Sequence, residues 1–519
     1  MTVLPAALAA PRPDPARALL AAVRRAGPVL PVLLLIAMLG LPLDTGGAQE
    51  SGGGTPADAV SGLLVLFCAV RAVRTRQRPL TRTALLVLAL PVVGVAIAAL
   101  GAGSADDALV GIARYYQILV LVPAAVLLAI RDRDDFRRVA WGLVALALWQ
   151  GGIGVHQYLT GTGASYAGED VRAVGTFGAT DVMGMSTVVA YGLLCSVALA
   201  LGGRAPRERL GALVCAAVLV VPLALSFSRG AWIATAVVVT AQIAVTGLRR
   251  AARLFTAAVA LGVVLVGGLG VGTDMLQERL SSITQVTAAP DQSVTDRYTM
   301  WAAAIDMWQE HPATGVGLKN FPAYRDSHAS LALSSGSDVA GAGQSYRRQP
   351  LLSPHNMYLL VLSEQGLLGL CAITGGWAAL LVLGLRRLPA VRLGPVPKGA
   401  SAGRRLARSP TASRAWEVPP LAAPGVDPST SGTRVCTRHA ESTHQTPPGP
   451  PSGRTTPLSA QAPGPGGLDC ALAACGLLVW QLIDFAYADI GGPSTVLTAV
   501  VFGLAAWWAL ADRGTAARA

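Results

Sequence analysis

Long apolar runs separated by short polar segments make up most of this chain. A run of roughly 20 apolar residues can cross a bilayer as an α-helix. The pattern therefore predicts an all-α membrane protein with about twelve transmembrane helices. The predicted spans lie at about 27–43, 57–72, 83–101, 109–130, 139–159, 179–201, 210–227, 230–248, 254–272, 364–385, 468–485 and 494–511.

The first span allows two interpretations. It is either a retained membrane anchor or a cleaved signal peptide with a small-residue site near Ala48. The long basic arm before it and the many later spans favour the anchor. Neither alternative changes the topology of the later spans.

Composition supports a membrane protein. Of the 519 residues, 52% are apolar and 13% are charged, with a mean hydropathy of +0.51. Soluble domains carry roughly 25% charged residues, so a soluble globular protein is excluded.

The distribution of arginine among the loops predicts the orientation, because cytoplasmic loops retain positive charge. Alternate short loops on one side of the membrane hold nineteen arginines, whereas the short loops on the other side hold only Arg172 and Arg229. Both termini are therefore expected in the cytoplasm, and the long loop from 273 to 354 is expected outside. The nineteen are Arg12, Arg17, Arg24, Arg25, Arg71, Arg74, Arg76, Arg78, Arg82, Arg131, Arg133, Arg137, Arg138, Arg204, Arg207, Arg209, Arg249, Arg250 and Arg253.

The spans and loops together define five regions. Spans 1 to 9 occupy residues 1–272, and an extracytoplasmic loop with an amphipathic helix occupies 273–354. A short helix and span 10 follow at 355–385, and spans 11 and 12 with a C-terminal tail occupy 468–519. Between them, residues 386–467 hold 11 of the 41 basic residues and 15 of the 34 prolines, which predicts a disordered cytoplasmic linker.

The net charge of +12 does not indicate a nucleic-acid-binding protein, because that linker alone supplies +8 of it. The cysteines do not indicate a disulfide framework or a zinc site. Six of the seven lie in apolar runs, Cys436 lies in the linker, and the sequence contains no CxxC pair. It also contains no phosphate-binding GxxxxGK[ST] loop, no dinucleotide-binding GxGxxG after a strand and no HExxH. We therefore expect no metal and no cofactor.

Three isolated arginines stand at or near the arginine-poor ends of the spans. Arg229 lies in a tight turn between two spans, Arg114 lies at the end of the fourth span, and Arg172 follows the fifth. A cation there needs an anionic partner or must extend to lipid phosphate. Extension to lipid is the ordinary explanation for each one alone, whereas three together indicate a shared anionic ligand.

The long loop contains a predicted helix from about 294 to 309, opened by a capping box that begins at Ser293. At 100° per residue, Arg297, Trp301 and Trp308 lie within about 40° of one another. This face is typical of a helix at the membrane interface. An arginine on the apolar stripe nevertheless suggests contact with a phosphate.

The segment around His355 is predicted to begin another helix, with Ser353 as its N-cap and Pro354 at its first position. His355 would then lie in the first turn, where the helix dipole favours a neutral imidazole that can act as a base. A capping or packing histidine is the alternative. Glu364 and Gly366 interrupt the apolar run that follows, so residues 355–363 are predicted to form a short helix before span 10.

These segments, in this order and with this topology, resemble the O-antigen ligase and O-antigen polymerase superfamily. The resemblance covers residues 80–385 well and the last two spans by topology alone. The motifs that carry it are Ser228-Arg229-Gly230-Ala231-Trp232, Asp296-Arg297-Tyr298, His311-Pro312-Ala313-Thr314-Gly315-Val316-Gly317-Leu318-Lys319-Asn320-Phe321, Pro354-His355-Asn356 and Glu364-Gln365-Gly366-Leu367-Leu368-Gly369.

The resemblance implies a metal-independent, inverting glycosyltransferase at the outer face of the membrane. Such an enzyme would transfer or polymerise a glycan from an undecaprenyl-diphosphate carrier onto an acceptor hydroxyl of a glycan, a lipid or the cell wall. His355 matches the family's essential histidine, and Arg229 and Arg297 match its outer-face arginines. Arg172 and Arg114 match less closely, and Asn356 and Glu364 are expected to position the acceptor.

A transporter or flippase for a lipid-linked glycan is the alternative, because it would also gather arginines around a phosphate. A flippase should line a path across the bilayer with polar groups and show repeat symmetry. The candidate residues here gather at one face, which favours the enzyme. The motifs do not separate a polymerase from a ligase.

Overall fold

A computed structural model describes most of the predicted membrane region. The described residues are 27–42, 55–75, 80–166, 171–247, 292–334, 337–341, 344–349, 351–388, 467–492 and 494–511. The predicted span at 254–272 lies outside them, as do residues 389–466 of the predicted linker. Those two predictions therefore stay predictions.

Within the described residues the chain is mostly helical. A π-helical turn at 117–121 joins α4 to α5, and a 3₁₀ segment at 175–180 precedes α7. The helices are α1 (Leu30–Met38), α2 (Pro56–Thr75), α3 (Arg82–Ala99), α4 (Ala105–Tyr116), α5 (Val122–Ala129), α6 (Arg133–Thr160), α7 (Val182–Gly202), α8 (Pro206–Leu225), α9 (Arg229–Thr246), α10 (Gln292–Glu310), α11 (Phe321–His328), α12 (Met357–Arg386), α13 (Leu468–Asp484) and α14 (Thr495–Leu510).

Eight of these segments are long and apolar enough to cross a bilayer, counting α4 and α5 as one. They correspond to the predicted spans 2 to 8 and 10, so the chain is a multi-pass membrane protein. α13 and α14, with 17 and 16 residues, lie at predicted spans 11 and 12, and α1, with nine residues, lies at span 1. The total of twelve stays a prediction.

The helix ends follow local capping chemistry. The side chains of Thr81, Ser104 and Asp132 each accept a hydrogen bond from a backbone N–H three residues later, at the starts of α3, α4 and α6. These polar side chains satisfy N–H groups that a helix start leaves without partners. α6 ends at Gly161, whose φ of 65° lies in the left-handed region that glycine adopts without strain.

α7 lies at the centre of the bundle and is almost entirely buried, with α6, α8, α9 and α13 packed around it. Its sequence is apolar on all sides, which is typical of a helix that neighbours surround completely. Gln242 of α9 donates hydrogen bonds to the carbonyl of Leu194 in α7 (3.3 Å) and that of Leu472 in α13 (3.1 Å). This amide joins the three helices inside the core.

A network of charged residues ties three helices together at the arginine-rich end of the bundle. Arg137 of α6 is 8% exposed and forms ion pairs with Glu208 of α8 and Asp469 of α13. A buried charge is costly unless it is paired, so the two carboxylates explain how this arginine is accommodated. The first residues of α13 are thereby fixed to the bundle.

The structure adds a small sheet that the all-α prediction did not include. β1 (Ala164–Tyr166), β2 (Ser337–Gly341) and β3 (Gln344–Gln349) form an antiparallel sheet in the order β1-β2-β3. Ala164 pairs with Gly341, about 177 residues away along the chain. The strands were not predicted because they are short and polar, and β1 finds its partner only through the tertiary fold.

α12 is interrupted at Gly366, as the sequence predicted. Gly366 has φ 64° and ψ −164°, so a short helix ends there and the long span begins. The loop at 312–317 fills the break. The N–H groups of Val316 and Gly317 donate to the carbonyls of Ser363 (2.8 Å) and Glu364 (3.1 Å), and those of Leu367 and Leu368 donate to Pro312 (2.9 Å) and Ala313 (3.2 Å).

We predict that Gly366→Ala destabilises the protein by about 1–3 kcal/mol, because its backbone lies in a region that is essentially closed to other residues. A Cβ at this position would also lie 2.4 Å from the carbonyl of Ala313. Thermal unfolding of the purified protein in detergent measures the effect. Gly375→Ala in the same helix is the control, since nothing lies within 4 Å of its Cβ position. Equal unfolding midpoints for the two variants would contradict the prediction.

Candidate active site

His355 lies in a strained turn before α12. Its φ of 48° is in the left-handed region, which is unfavourable for a residue with a Cβ. α12 begins at Met357, and Asn356 is its N-cap, with a side-chain oxygen that accepts from the N–H groups of Tyr358 (3.0 Å) and Leu359 (3.1 Å). Strained backbone of this kind persists where the surroundings fix it and is common at functional sites.

The predicted helix start was therefore wrong by three residues. Ser353 does not cap α12, and His355 precedes the helix instead of lying in its first turn. The Ser353 hydroxyl instead donates to the carboxylate of Asp489. Asn356 is the better cap because its amide oxygen reaches two backbone N–H groups at once.

A turn between α13 and α14, residues 485–489, fixes the position of His355. The N–H of Met357 donates to the carbonyls of Phe485 (2.9 Å) and Ala488 (3.0 Å), and the Asn356 amide donates to that of Ala486 (2.8 Å). On the other side, the Trp301 indole of α10 donates to the carbonyl of Pro354 (2.8 Å). These bonds hold the Pro354-His355-Asn356 motif between α10 and the 485–489 turn.

Arg297 lies on α10 one helical turn before Trp301, so the indole bond places its stretch of helix beside the same motif. Close packing of protein atoms around the imidazole lowers the pKa of His355. The Asp489 carboxylate opposes this shift and the Arg297 guanidinium reinforces it. The net direction favours a neutral imidazole at neutral pH, although 45% of the His355 side chain remains exposed.

α10 itself departs from the predicted start. It begins at Gln292, so Ser293 lies inside the helix and not at its predicted N-cap position. The Asp296 carboxylate accepts hydrogen bonds from the N–H (2.8 Å) and the hydroxyl (2.6 Å) of Ser334 in the following loop. This residue therefore fixes the loop to α10.

The first turn of α9, which begins with Arg229, packs against the same 485–489 turn. It is the first residue of α9, after the N-cap Ser228, whose oxygen accepts from the N–H of Ala231 at 3.4 Å. A Cβ on Gly230 would lie 2.3 Å from the ring of Tyr487, so that ring packs directly on the first turn of α9. The charge of Arg297 also acts on Tyr487, whose pKa is raised mainly by burial. Tyr487 thus lies between the two arginine-bearing helices.

Arg172 and Arg114 lie at the edge of this region. The backbone of Arg172 pairs with that of Ala164, and the next residue, Ala173, donates to the carbonyl of Leu225 (3.4 Å) at the base of the Arg229 turn. The Arg114 guanidinium forms a 2.6 Å ion pair with Asp58 and a 3.3 Å hydrogen bond with the carbonyl of Gly492. Arg114 thereby supports the loop that follows the 485–489 turn.

Two further predicted site residues have structural contacts. Asn356 caps α12 and holds the 485–489 turn, as described above. Glu364 is 2% exposed and accepts a hydrogen bond from the N–H of Phe321 (3.3 Å), where α11 begins beside the break in α12. The histidines of the loop differ from His355, since His311 is exposed and His328 forms a 3.2 Å contact with Glu310.

Two aspartates near the 485–489 turn were not predicted from the sequence. Asp489 lies 4.0 Å from its Nδ1, and Asp181, just before α7, accepts from the N–H of Ser494 (3.0 Å). Burial raises the pKa of Asp181. The sequence signal for Asp489 was the pair of aspartates, Asp484 and Asp489, at the end of the eleventh apolar run. The loop there was considered only for its lack of arginine.

Residues 211–374 match the protein-family model described as O-antigen ligase. The match extends from α8 into α12 and includes Arg229, Arg297, His355 and Glu364. It confirms the resemblance to the O-antigen ligase and polymerase family. Arg114, Arg172 and the 485–489 turn lie outside the matched residues. No curated protein matches the sequence.

We predict that Asn356→Ala destabilises the protein by more than the ~1 kcal/mol of an ordinary lost N-cap. The substitution removes the cap of α12 and also the bond to Ala486. Thr81→Ala is the matched control, because it removes only a cap, with an oxygen 3.1 Å from the N–H of Ala84. Thermal unfolding midpoints of both variants measure the difference. An equal loss would show that the bond to Ala486 contributes nothing.

Proposed function

We propose that this chain is a glycosyltransferase that makes surface polysaccharide at the outer face of the membrane it spans. Its O-antigen ligase domain lies at residues 211–374. It transfers or polymerises glycan from an undecaprenyl-diphosphate carrier onto an acceptor hydroxyl. The observation that carries this proposal is the convergence of three motifs on one turn. The segments with Arg229, Arg297 and His355 come from separate parts of the chain. The Arg229 and His355 segments contact residues 485–489 directly, and the charge of Arg297 acts on Tyr487 in the same turn.

Arg229 and Arg297 bind the diphosphate of the donor. When the bond from the anomeric carbon to the phosphate oxygen breaks, negative charge develops on the departing diphosphate. Fixed guanidinium groups stabilise that charge and form two parallel hydrogen bonds with phosphate. Arg172 contributes positive potential from the edge of the site, whereas Arg114, paired with Asp58, supports the loop after the 485–489 turn. The chemistry requires no metal or cofactor.

His355 accepts the proton of the acceptor hydroxyl as its oxygen attacks the anomeric carbon. A single displacement forms the new glycosidic bond on the opposite side of the sugar, so the configuration inverts. The neutral imidazole favoured by burial and by Arg297 is the form that accepts a proton. Asn356 and Glu364 act on the acceptor indirectly, by holding the turn before α12 and the break within it.

The location of the site follows from the arginine count. The loops with many arginines, such as those containing Arg137 and Arg204, are assigned to the cytoplasm. Both termini and the linker at 386–467 then lie in the cytoplasm, and His355 faces outward. The partners are the lipid-linked donor, the glycan, lipid or wall acceptor, and membrane lipids.

We predict that Arg229→Ala and Arg297→Ala each reduce transfer from purified lipid-linked donor by about 100-fold, because one donor to a developing anion is lost. Lysine at either position should rescue activity only in part, since it lacks the planar fork. Arg207→Ala, an exposed arginine at the arginine-rich end, is the control and should be normal. The assay follows release of the free diphosphate carrier, which a flippase would not produce.

Full activity in both alanine variants would contradict the diphosphate assignment. If the wild-type protein moves the donor across vesicles without releasing its carrier, the transporter alternative is correct instead. The glycan profile of a deletion strain separates the two enzymatic roles. Loss of long chains with single repeats retained indicates a polymerase, whereas accumulation of free lipid-linked polymer indicates a ligase.

We predict that His355→Ala lowers turnover by about 100-fold or more, the usual contribution of a general base. Its expression and unfolding midpoint should stay near normal, because the half-exposed imidazole is not part of the core. His311→Ala, in the same loop system but exposed, should retain activity. Near-normal turnover of His355→Ala with saturating donor and acceptor would exclude the base assignment.

A further inference from the structure

Asp489 is held in a defined position beside His355. Its side chain is 7% exposed, and Oδ2 lies 4.0 Å from Nδ1 of the imidazole. The Ser353 hydroxyl donates to the same Oδ2, and the N–H of Gly491 donates to Oδ1 at 2.9 Å. Each carboxylate oxygen therefore has a partner, and Oδ2 also faces the histidine.

The backbone around this pair is fixed from both sides. The turn that carries Asp489 is bonded to Asn356 and Met357, the two residues that follow His355. Ser353, two residues before His355, bonds to Asp489 itself. The carboxylate thus approaches the imidazole from one defined direction, on the Nδ1 side, which leaves Nε2 for a substrate.

Five charged or titratable groups on the surrounding elements interact electrostatically with His355 or Asp489. Arg297 of α10 acts directly on His355. The charge of Asp489 acts on four other groups: Asp181 before α7, Asp484 at the end of α13, Glu364 of α12 and Tyr115 of α4. The charges that act on His355 itself are those of Asp489 and Arg297.

We propose that Asp489 is a positioning residue that orients the His355 imidazole and stabilises the imidazolium formed during transfer. This inference rests on the function proposed above. A carboxylate on one ring nitrogen places the hydrogen on that nitrogen and leaves the other free as a proton acceptor. The 4.0 Å separation closes to a hydrogen bond through a small side-chain rotation, since catalytic contacts often tighten only when substrate binds.

The acceptor oxygen forms its bond to the anomeric carbon, the carbon–oxygen bond to the diphosphate breaks, and the acceptor proton moves to Nε2. Nδ1–H donates to the carboxylate of Asp489. The carboxylate offsets the positive charge that forms beside Arg297, where an uncompensated imidazolium would be repelled.

The test is Asp489→Asn in the full-length protein, with donor and acceptor varied separately. We expect kcat to fall about 10- to 100-fold, the range for outer residues that orient a functional histidine. The KM for the donor should stay within about twofold of the wild-type value, because Arg229 and Arg297 remain to bind the diphosphate. The acid limb of kcat against pH should move to lower pH, since removing a negative charge lowers the pKa of His355.

Asp181→Asn is the matched control. Asp181 is also a buried aspartate near the same loop, and it accepts a backbone N–H that an asparagine side chain can equally satisfy. We expect its acid limb to stay in place. Asp489→Glu should recover part of the lost kcat, because it restores the charge at a slightly different position.

A double-mutant cycle separates a role through His355 from a structural role. In a His355→Ala background, Asp489→Asn should have no further effect on kcat. An equal fold-loss in both backgrounds overturns the proposal, as does a wild-type acid limb in Asp489→Asn. If Asp489→Asn does not fold, Ser353→Ala gives the same test, because it removes a hydrogen bond from Oδ2 and should lower kcat without changing the donor KM.

The proposed function and this inference fail in different ways. Absence of carrier release by the wild-type protein would overturn the function. Normal release by the wild-type protein together with an Asp489→Asn variant of equal kcat would overturn the role of Asp489 alone.

Discussion

The break in α12 at Gly366 is the constraint on which the site depends. A helix that is interrupted near the membrane leaves backbone N–H and C=O groups that lipid cannot satisfy. The 312–317 loop supplies partners for four of them, and its glycines make the close approach possible. A Cβ on Gly315 would lie 2.4 Å from the backbone of Glu364. This docking explains why the HPxxGxG and EQG motifs occur together: each completes the hydrogen bonds of the other.

The 312–317 loop is also connected to the segment around His355, through hydrogen bonds made by α10. α10 ends where the 312–317 loop begins, and the Trp308 indole donates to the carbonyl of Pro312 (3.2 Å). Trp301, two turns earlier on α10, donates to the carbonyl of Pro354. The two tryptophans thus connect α10 to the proline of each motif. This face of α10, which the sequence predicts at the membrane interface, forms specific hydrogen bonds to protein.

Residues with strained backbone conformations lie in or beside these motifs. Among the described residues, the non-glycine residues with positive φ are Phe227, Lys319 and His355, and each lies in or directly before one of the motifs that define the family resemblance. Such conformations cost about 1–3 kcal/mol each and persist only where surrounding contacts hold them. The 485–489 turn provides those contacts for His355. The backbone geometry at His355 therefore depends on a turn that lies outside the matched family region.

The sequence alone determined the membrane class, most helix positions and the interruption at Gly366, and it selected Arg229, Arg297 and His355 as candidate site residues. These features depend on local patterns: apolar length, glycine in a special conformation and short motifs. The tertiary structure decided what the patterns leave open. Asp489 was missed because it lies 134 residues after His355, and Ser353 was misassigned because its true partner, Asp489, comes from that distant turn. The sheet was missed for the same reason, since β1 pairs with a strand far along the chain. Hydrogen bonds between distant segments leave no periodicity in the sequence, and only the packing of α10, α12 and α13 brings these groups together.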